Sequence, residues 1–198
     1  MTIGILALQG SFIEHARCIR YLGVESVLLK QPRDFTQIDG LIIPGGESTT
    51  ICMLLERFGL LDILRARAME GFPIFGTCAG LILLARKLDD PPGGNHGVHP
   101  IGILNITVRR NAFGRQLNSF EDDLVFMGIG EQPFRAIFIR APMILEVDMG
   151  VQVLSRLNDN RIVAVEQGNI MATAFHPELT DDMRIHEYFL SKIGARSG

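Results

Sequence analysis

The 198-residue chain has no basic excess, no run of like charge, no long apolar stretch and no Cys-x-x-Cys pair. Each absence removes a class of function. Nineteen Lys and Arg against 22 Asp and Glu give a formal net charge of −3. A sequence-independent grip on nucleic acid or on an anionic membrane needs the opposite balance, so neither partner is expected. Outside the N-terminal segment the longest purely apolar stretch runs from Leu81 to Ala85, far short of the roughly 20 residues of a membrane-spanning helix. The N-terminal apolar run carries no positive leader and reads as a first strand, not a signal peptide. Cys18, Cys52 and Cys78 make neither a disulfide framework nor a zinc ribbon, and they fit a reducing, cytoplasmic compartment. Both glycine-rich nucleotide fingerprints, Gly-x-Gly-x-x-Gly and the lysine-bearing phosphate loop, are absent.

What is present is an ordinary globular composition, 47% hydrophobic and 21% charged, over a length that suits one domain spanning 1–198. In the first half, strand and helix patterns alternate. Ile3 to Leu8, Val27 to Leu29, Leu41 to Ile43 and Pro73 to Phe75 read as short buried strands. Between them, Phe12, Ala16, Ile19 and Leu22 recur at helical spacing, as do Ile51, Leu54, Leu55 and Phe58, with Ser48 or Thr49 as the expected cap. Leu81 to Leu88 reads as a further helix. Such alternation predicts an α/β fold with a mostly parallel sheet covered by helices on both faces. In the second half, short strands crowd together at Ile103 to Val108, Leu124 to Met127, Ala136 to Ile139, Val151 to Leu154, Ile162 to Val165 and Ile170 to Phe175. They predict an antiparallel extension, closed by a helix over Asp181 to Ile193.

Three short segments carry chemistry. Gly76-Thr77-Cys78-Ala79-Gly80 lies between a strand and a helix and has the small-x-nucleophile-x-small form of a nucleophile elbow. Cys78 would be the nucleophile, and the N–H of Ala79 would point where an oxyanion develops. A thiol nucleophile needs a base, and the base an orienter. His176-Pro177-Glu178 supplies both, since residues two apart in an extended segment point the same way. Pro44-Gly45-Gly46-Glu47-Ser48-Thr49 follows a strand, and its glycines leave room for an N–H of Gly45 or Gly46 to act as a second oxyanion donor. Other polar residues draw plainer readings. Cys18 and Cys52 fall on apolar helix faces as core residues. His15 resembles a dyad partner for Cys18 but has neither elbow nor orienter. His96 and His99 lack further ligands at metal-binding spacing, so no metal and no cofactor are expected.

Pro44 to Ser48, Gly76 to Gly80 and His176 to Glu178 together resemble the triad-type, class I glutamine amidotransferases. Leu8-Gln9-Gly10 with Glu14-His15, Arg109 to Gln116, Ser119-Phe120-Glu121 and Phe138 to Pro142 are similar to one branch of them, the glutaminase subunits of pyridoxal 5′-phosphate synthase. The resemblance implies Cys78 as nucleophile, His176 as base and Glu178 as its orienter. It also implies a glutamine pocket formed by Gly46, Glu47, Ser48, Arg110, Ile139 and Arg140. It further implies hydrolysis of L-glutamine through a thioester, delivery of ammonia to a synthase subunit in a hetero-oligomer, and near-silence until that partner binds. The rivals are an amidotransferase subunit serving another pathway, a regulatory glutamine-binding subunit, and a γ-glutamyl hydrolase or cysteine peptidase with the same triad. One departure stands out: the Pro- and Gly-containing loop from Leu88 to Pro100 is longer than in the shortest members.

Overall fold

A computed structural model of the chain describes residues 1–89, 98–110 and 119–194. The parallel part of its main sheet is built from β1 (Thr2–Leu6), β2 (Glu25–Leu29), β3 (Gly40–Ile43), β4 (Ile74–Thr77) and β12 (Ile170–Thr173), in the order β2-β1-β3-β4-β12. Every residue of β3, β4 and β12 is buried, because helices cover both faces. These strands are therefore continuous apolar runs with no alternation. On one face α1 (Phe12–Tyr21) meets α5 (Arg184–Gly194), with Phe75 of β4 against Phe189 of α5 at 5.6 Å between ring centroids. On the other lie α2 (Ser48–Arg57), α3 (Leu61–Met69) and α4 (Ala79–Leu84); there the α-carbon of Gly76 is so close to Gly80 and Leu84 that a side chain would not fit.

The sheet continues from β12 through antiparallel partners. β11 (Ile162–Gln167) pairs with β12, with β10 (Gln152–Arg156) and with β9 (Met143–Val147), and β9 pairs with β6 (Leu104–Arg109). At the far edge β5 (Ala85–Leu88) pairs parallel with β6. A separate hairpin of β7 (Ser119–Leu124) and β8 (Phe134–Ile139) stacks Phe120 on Phe138 at 4.4 Å. The parallel core with an antiparallel extension is as expected. Among the described residues, no helix is long and apolar enough to cross a membrane.

Local patterns misled in five places. The helix expected over Leu81 to Leu88 stops at Leu84, and Ala85 to Leu88 is a strand; the run Leu81 to Ala85 is apolar throughout and has no period to mark where the helix ends. Helix α3 was not anticipated, because Leu64 is its one fully covered residue and its apolar stripe is weak. The strand expected over Leu124 to Met127 instead ends at Leu124. Its run Ser-Phe-Glu-Asp-Asp-Leu hides among carboxylates, one of which, Glu121, meets Arg135 across the hairpin at 2.7 Å. Strand β9 was also missed. The cap of α2 is neither Ser48 nor Thr49: Glu47 takes the position and its carboxylate accepts from the N–H groups of Thr49 and Thr50, two donors where a hydroxyl would serve one.

The C-terminal ends of β1, β3, β4 and β12 share one edge, where open α/β sheets hold ligands. The loops leaving them carry Gly10 and Ser11, Gly45 and Gly46, Cys78, and His176. Glycine is required there for two different reasons. Gly23, just after α1, has φ +71° with open space around it, whereas a β-carbon on Gly80 would sit 2.1 Å from the carbonyl oxygen of Ile43. Thermal melts should separate the two. Gly23→Ala should cost about 1 kcal/mol of backbone strain and leave the site intact, and Gly80→Ala should cost several times more and disturb the Cys78 turn.

Candidate active site

Cys78 stands between β4 and α4 with φ 49° and ψ −100°, a conformation outside the regions open to ordinary residues and costing about 1–3 kcal/mol. The surrounding structure enforces it. The Cys78 N–H donates to the carbonyl of Thr173 at 2.8 Å, and its carbonyl accepts from Ile82 at 3.3 Å, so the residue joins β12 to the first turn of α4. The thiol faces the carbonyl oxygen of Ile139 at 3.8 Å. Ala79 begins α4, so its N–H is among those a helix leaves without an internal acceptor.

His176 is tied to the β7–β8 hairpin through its N–H, which donates to the carbonyl of Ile137 at 2.8 Å. Its Nδ1 lies 2.8 Å from Glu178 Oε1, and its ring and the Cys78 side chain both crowd the α-carbon of Gly45, which places them side by side. The pair was expected in an extended segment; instead Pro177–Leu179 form a 3₁₀ turn, which brings the two side chains together by bending the chain. Burial alone would lower the His176 pKa, but the hydrogen bonds to Cys78 and Glu178 outweigh it and raise it to about 10. Burial would likewise raise that of Glu178. His15 facing the carboxylate and the hydrogen bonds from His176 and Ser11 overcome this and hold it at about 2. A base pinned by a buried carboxylate beside a thiol is equipped for proton transfer to and from that sulfur.

Above these groups opens a cavity of about 330 Å³, at the small end of ligand sites. Of the expected site residues, Cys78, His176, Gly45, Gly46, Glu47, Ser48, Arg110, Ile139 and Arg140 all line it; Glu178 and Ala79 lie behind its wall. Gly10, Ser11, Ile82 and Leu179 also contribute. The Glu47 carboxylate is committed to the α2 cap, which holds its pKa at about 2 against the opposing effect of burial. The Gly45 N–H, expected as an oxyanion donor, donates to Thr77 Oγ1 at 2.9 Å and is turned away from a substrate in this state. No side chain could replace hydrogen at Gly45: a β-carbon there would meet the His176 ring at 2.4 Å. A larger cavity, about 680 Å³, opens beside Phe72 and Ile170 at the other ends of the strands and holds no nucleophile.

The structure adds residues that the sequence reading passed over. Ser11 Oγ donates to Glu178 Oε1 at 2.5 Å, and His15 Nε2 lies 3.4 Å from Glu178 Oε2. His15 thus faces Glu178 as well as sharing a helix with Cys18. Its place on the buried face of α1, beside Ala16 and Ile19, was the available signal, since a polar group on an apolar face needs a partner. Among the described residues no group of three or more His, Cys, Asp and Glu is placed to hold a metal ion. His96 and the segment from Asn111 to Gln116 lie outside the described residues.

Known proteins share the sequence and the fold of this chain. Residues 5–195 match the model of the SNO glutamine amidotransferase family. A pyridoxal 5′-phosphate synthase subunit PdxT from Carboxydothermus hydrogenoformans is 52% identical over 193 residues, with 98% of both chains covered. Its counterpart from Herpetosiphon aurantiacus is 54% identical over 190 residues, covering 96% of this chain and 99% of that one. A crystal structure of a glutamine amidotransferase superposes with a TM-score of 0.90 at 44% identity, covering 97% of this chain and 98% of the other. PurLQS from Thermotoga maritima, at 16% identity and a TM-score of 0.71, shares the fold. A buried Cys–His–Glu arrangement at the edge of this sheet, with a family match over nearly its whole length, places the chain in the SNO glutamine amidotransferase family.

Proposed function

We propose that this chain, a glutaminase of the pyridoxal 5′-phosphate synthase type that provides ammonia for vitamin B6 biosynthesis, works through Cys78, His176 and Glu178. The observation that carries the assignment is His176, bonded to Glu178 and lining the same cavity as Cys78, whose side chain lies beside its ring. His176 takes the thiol proton and the sulfur attacks the side-chain amide carbon of L-glutamine. The Ala79 N–H, joined by Gly45 or Gly46 once their loop turns, receives the oxyanion. His176 then gives its proton to the departing nitrogen, which leaves as ammonia. Water, deprotonated by the same ring, attacks the thioester and releases glutamate, restoring the thiol. Arg110 and Arg140 supply guanidinium groups for the substrate carboxylate, with Gly46, Glu47, Ser48 and Ile139 completing the pocket.

Ammonia freed into bulk water is protonated and lost as a nucleophile, so the acceptor is a docked partner, a synthase subunit of the PdxS kind, reached by a sheltered route. The engagement of the Gly45 N–H by Thr77 supports a resting state that the partner converts. The work is done by one catalytic domain in the cytoplasm, where three free cysteines persist.

Glutamate release from glutamine, measured with and without the synthase subunit, should rise strongly on its addition and vanish in Cys78→Ala while glutamine still binds. Hydrolysis retained by Cys78→Ala would remove the nucleophile. Hydrolysis of γ-glutamyl peptides in place of free glutamine would point to a different hydrolase.

The pKa shifts also set a stability profile. His176 is raised to about 10, so its contribution is complete below its unfolded value of about 6.5 and fades as pH rises through 10. Glu178 is lowered to about 2, so its contribution is complete above about 4.5 and fades as pH falls toward 2. Urea unfolding of Glu178→Gln should therefore show a deficit of about 3 kcal/mol between those limits, and the gap to the native chain should narrow toward either extreme.

A further inference from the structure

Glu178 uses one oxygen to hold His176 and turns the other inward. Oε2 faces His15 Nε2 at 3.4 Å, with both side chains fully buried. The same nitrogen lies 3.1 Å from Thr77 Oγ1, and His15 Nδ1 lies 3.0 Å from His186 Nε2. Phe75 stands edge-on to both imidazoles, 6.2 Å from His15 and 6.1 Å from His186. Two histidines with no exposure at all sit where leucine or phenylalanine would fill the space without a desolvation cost.

The protons in this cluster can be placed. Burial keeps His15 neutral against the pull of Glu178, and burial with the neighbouring His15 lowers His186 to about 3. Each ring therefore has one N–H. If the His15 proton were on Nδ1, the Nε2 lone pair would oppose an anionic oxygen. His186 would then carry its proton on Nδ1, which has no partner among the described residues. A buried orphan N–H is rarer and costlier than an orphan lone pair. The reverse arrangement gives each ring proton an acceptor: His186 Nε2–H donates to His15 Nδ1, and His15 Nε2–H donates to Thr77 Oγ1 while facing Glu178 Oε2 at 3.4 Å, an oxygen with no hydrogen-bond partner among the described residues.

We propose that His15 and His186 are positioning residues for the glutaminase reaction, His186 fixing the tautomer of His15 and His15 holding the second oxygen of Glu178. The proposal rests on the triad reading above. Through Thr77, which also accepts the Gly45 N–H at 2.9 Å, one His15 proton bears on both the orienter of the base and the oxyanion loop. The titratable groups facing Glu178 are His15 and Cys18 of α1, His186 of α5, and His176, which adjoins Cys78 after β4; Glu14 and Asp181 lie farther out.

The test compares His15→Leu with His15→Gln, whose amide N–H can occupy the place of Nε2, assayed with the synthase subunit and with Cys78→Ala as blank. His15→Leu should lower kcat roughly ten- to a hundredfold, the cost of leaving a buried charge without the N–H that faces it, with KM changed less than about twofold because His15 does not line the cavity. Its acid limb should move to higher pH, since Glu178 has lost a donor. Stability should move the other way. The folded state refuses a proton on His15 that the unfolded chain accepts below about 6.5, so removing His15 lessens acid unfolding. His15→Gln should recover most of kcat and restore the acid limb while keeping the flattened stability profile. Should His15→Leu fail to fold, His186→Leu carries the same test with a smaller shift in the same direction. An acid limb unchanged in the variant that folds, or Leu and Gln behaving alike, overturns the proposal. Turnover by Cys78→Ala would instead overturn the triad reading beneath it.

Discussion

A single carboxylate kept from water organises this protein. Glu178 is buried and ionised, and removing such a charge from solvent costs several kcal/mol unless donors surround it. The donors come from far apart in the chain. Ser11 and His15 belong to the first loop and helix, His176 follows the last strand of the sheet, and His186, which steadies His15, belongs to the final helix. The parallel sheet brings these segments to one edge, and the α1–α5 layer closes over them. The carboxylate in turn determines what His176 can do, and so what Cys78 can do.

The reactive thiol shows a second constraint of the same kind. Its backbone conformation is strained, and the groups that maintain the strain are small residues packed without tolerance: Gly76 against Gly80, and Gly80 against Ile43. No element of stability calls for a cysteine at φ 49°. The turn survives because β12 holds the Cys78 N–H and α4 its carbonyl, an arrangement in which strain at a functional position is balanced by regular structure on either side.

Much of this was legible in the residues. Continuous apolar runs identified β1, β3, β4 and β12, and the elbow, the glycine pair and His-Pro-Glu marked three of the loops at the sheet edge. Boundaries failed where a pattern carried no period, as in Leu81 to Leu88, or where carboxylates disguised a hairpin strand, as in Ser119 to Leu124. The site beyond the triad was harder to see for a different reason. Ser11 and His186 lie in no motif, and Thr77 and His15 sit in strings read for other reasons; only tertiary contact makes the four a unit. Glu47 was placed in the correct loop, yet its carboxylate caps a helix, a distinction that depends on the direction of one side chain.

The triad is carried by the large sheet and leans on the small one. Cys78 follows a strand of the large sheet, but its sulfur faces Ile139, and the His176 amide is anchored on Ile137, both in the two-stranded hairpin. Two-stranded units open more readily than a covered parallel core. Any displacement of the hairpin therefore moves the anchor of the base and the neighbour of the thiol together, so the reacting pair is coupled to a unit outside the sheet that carries it.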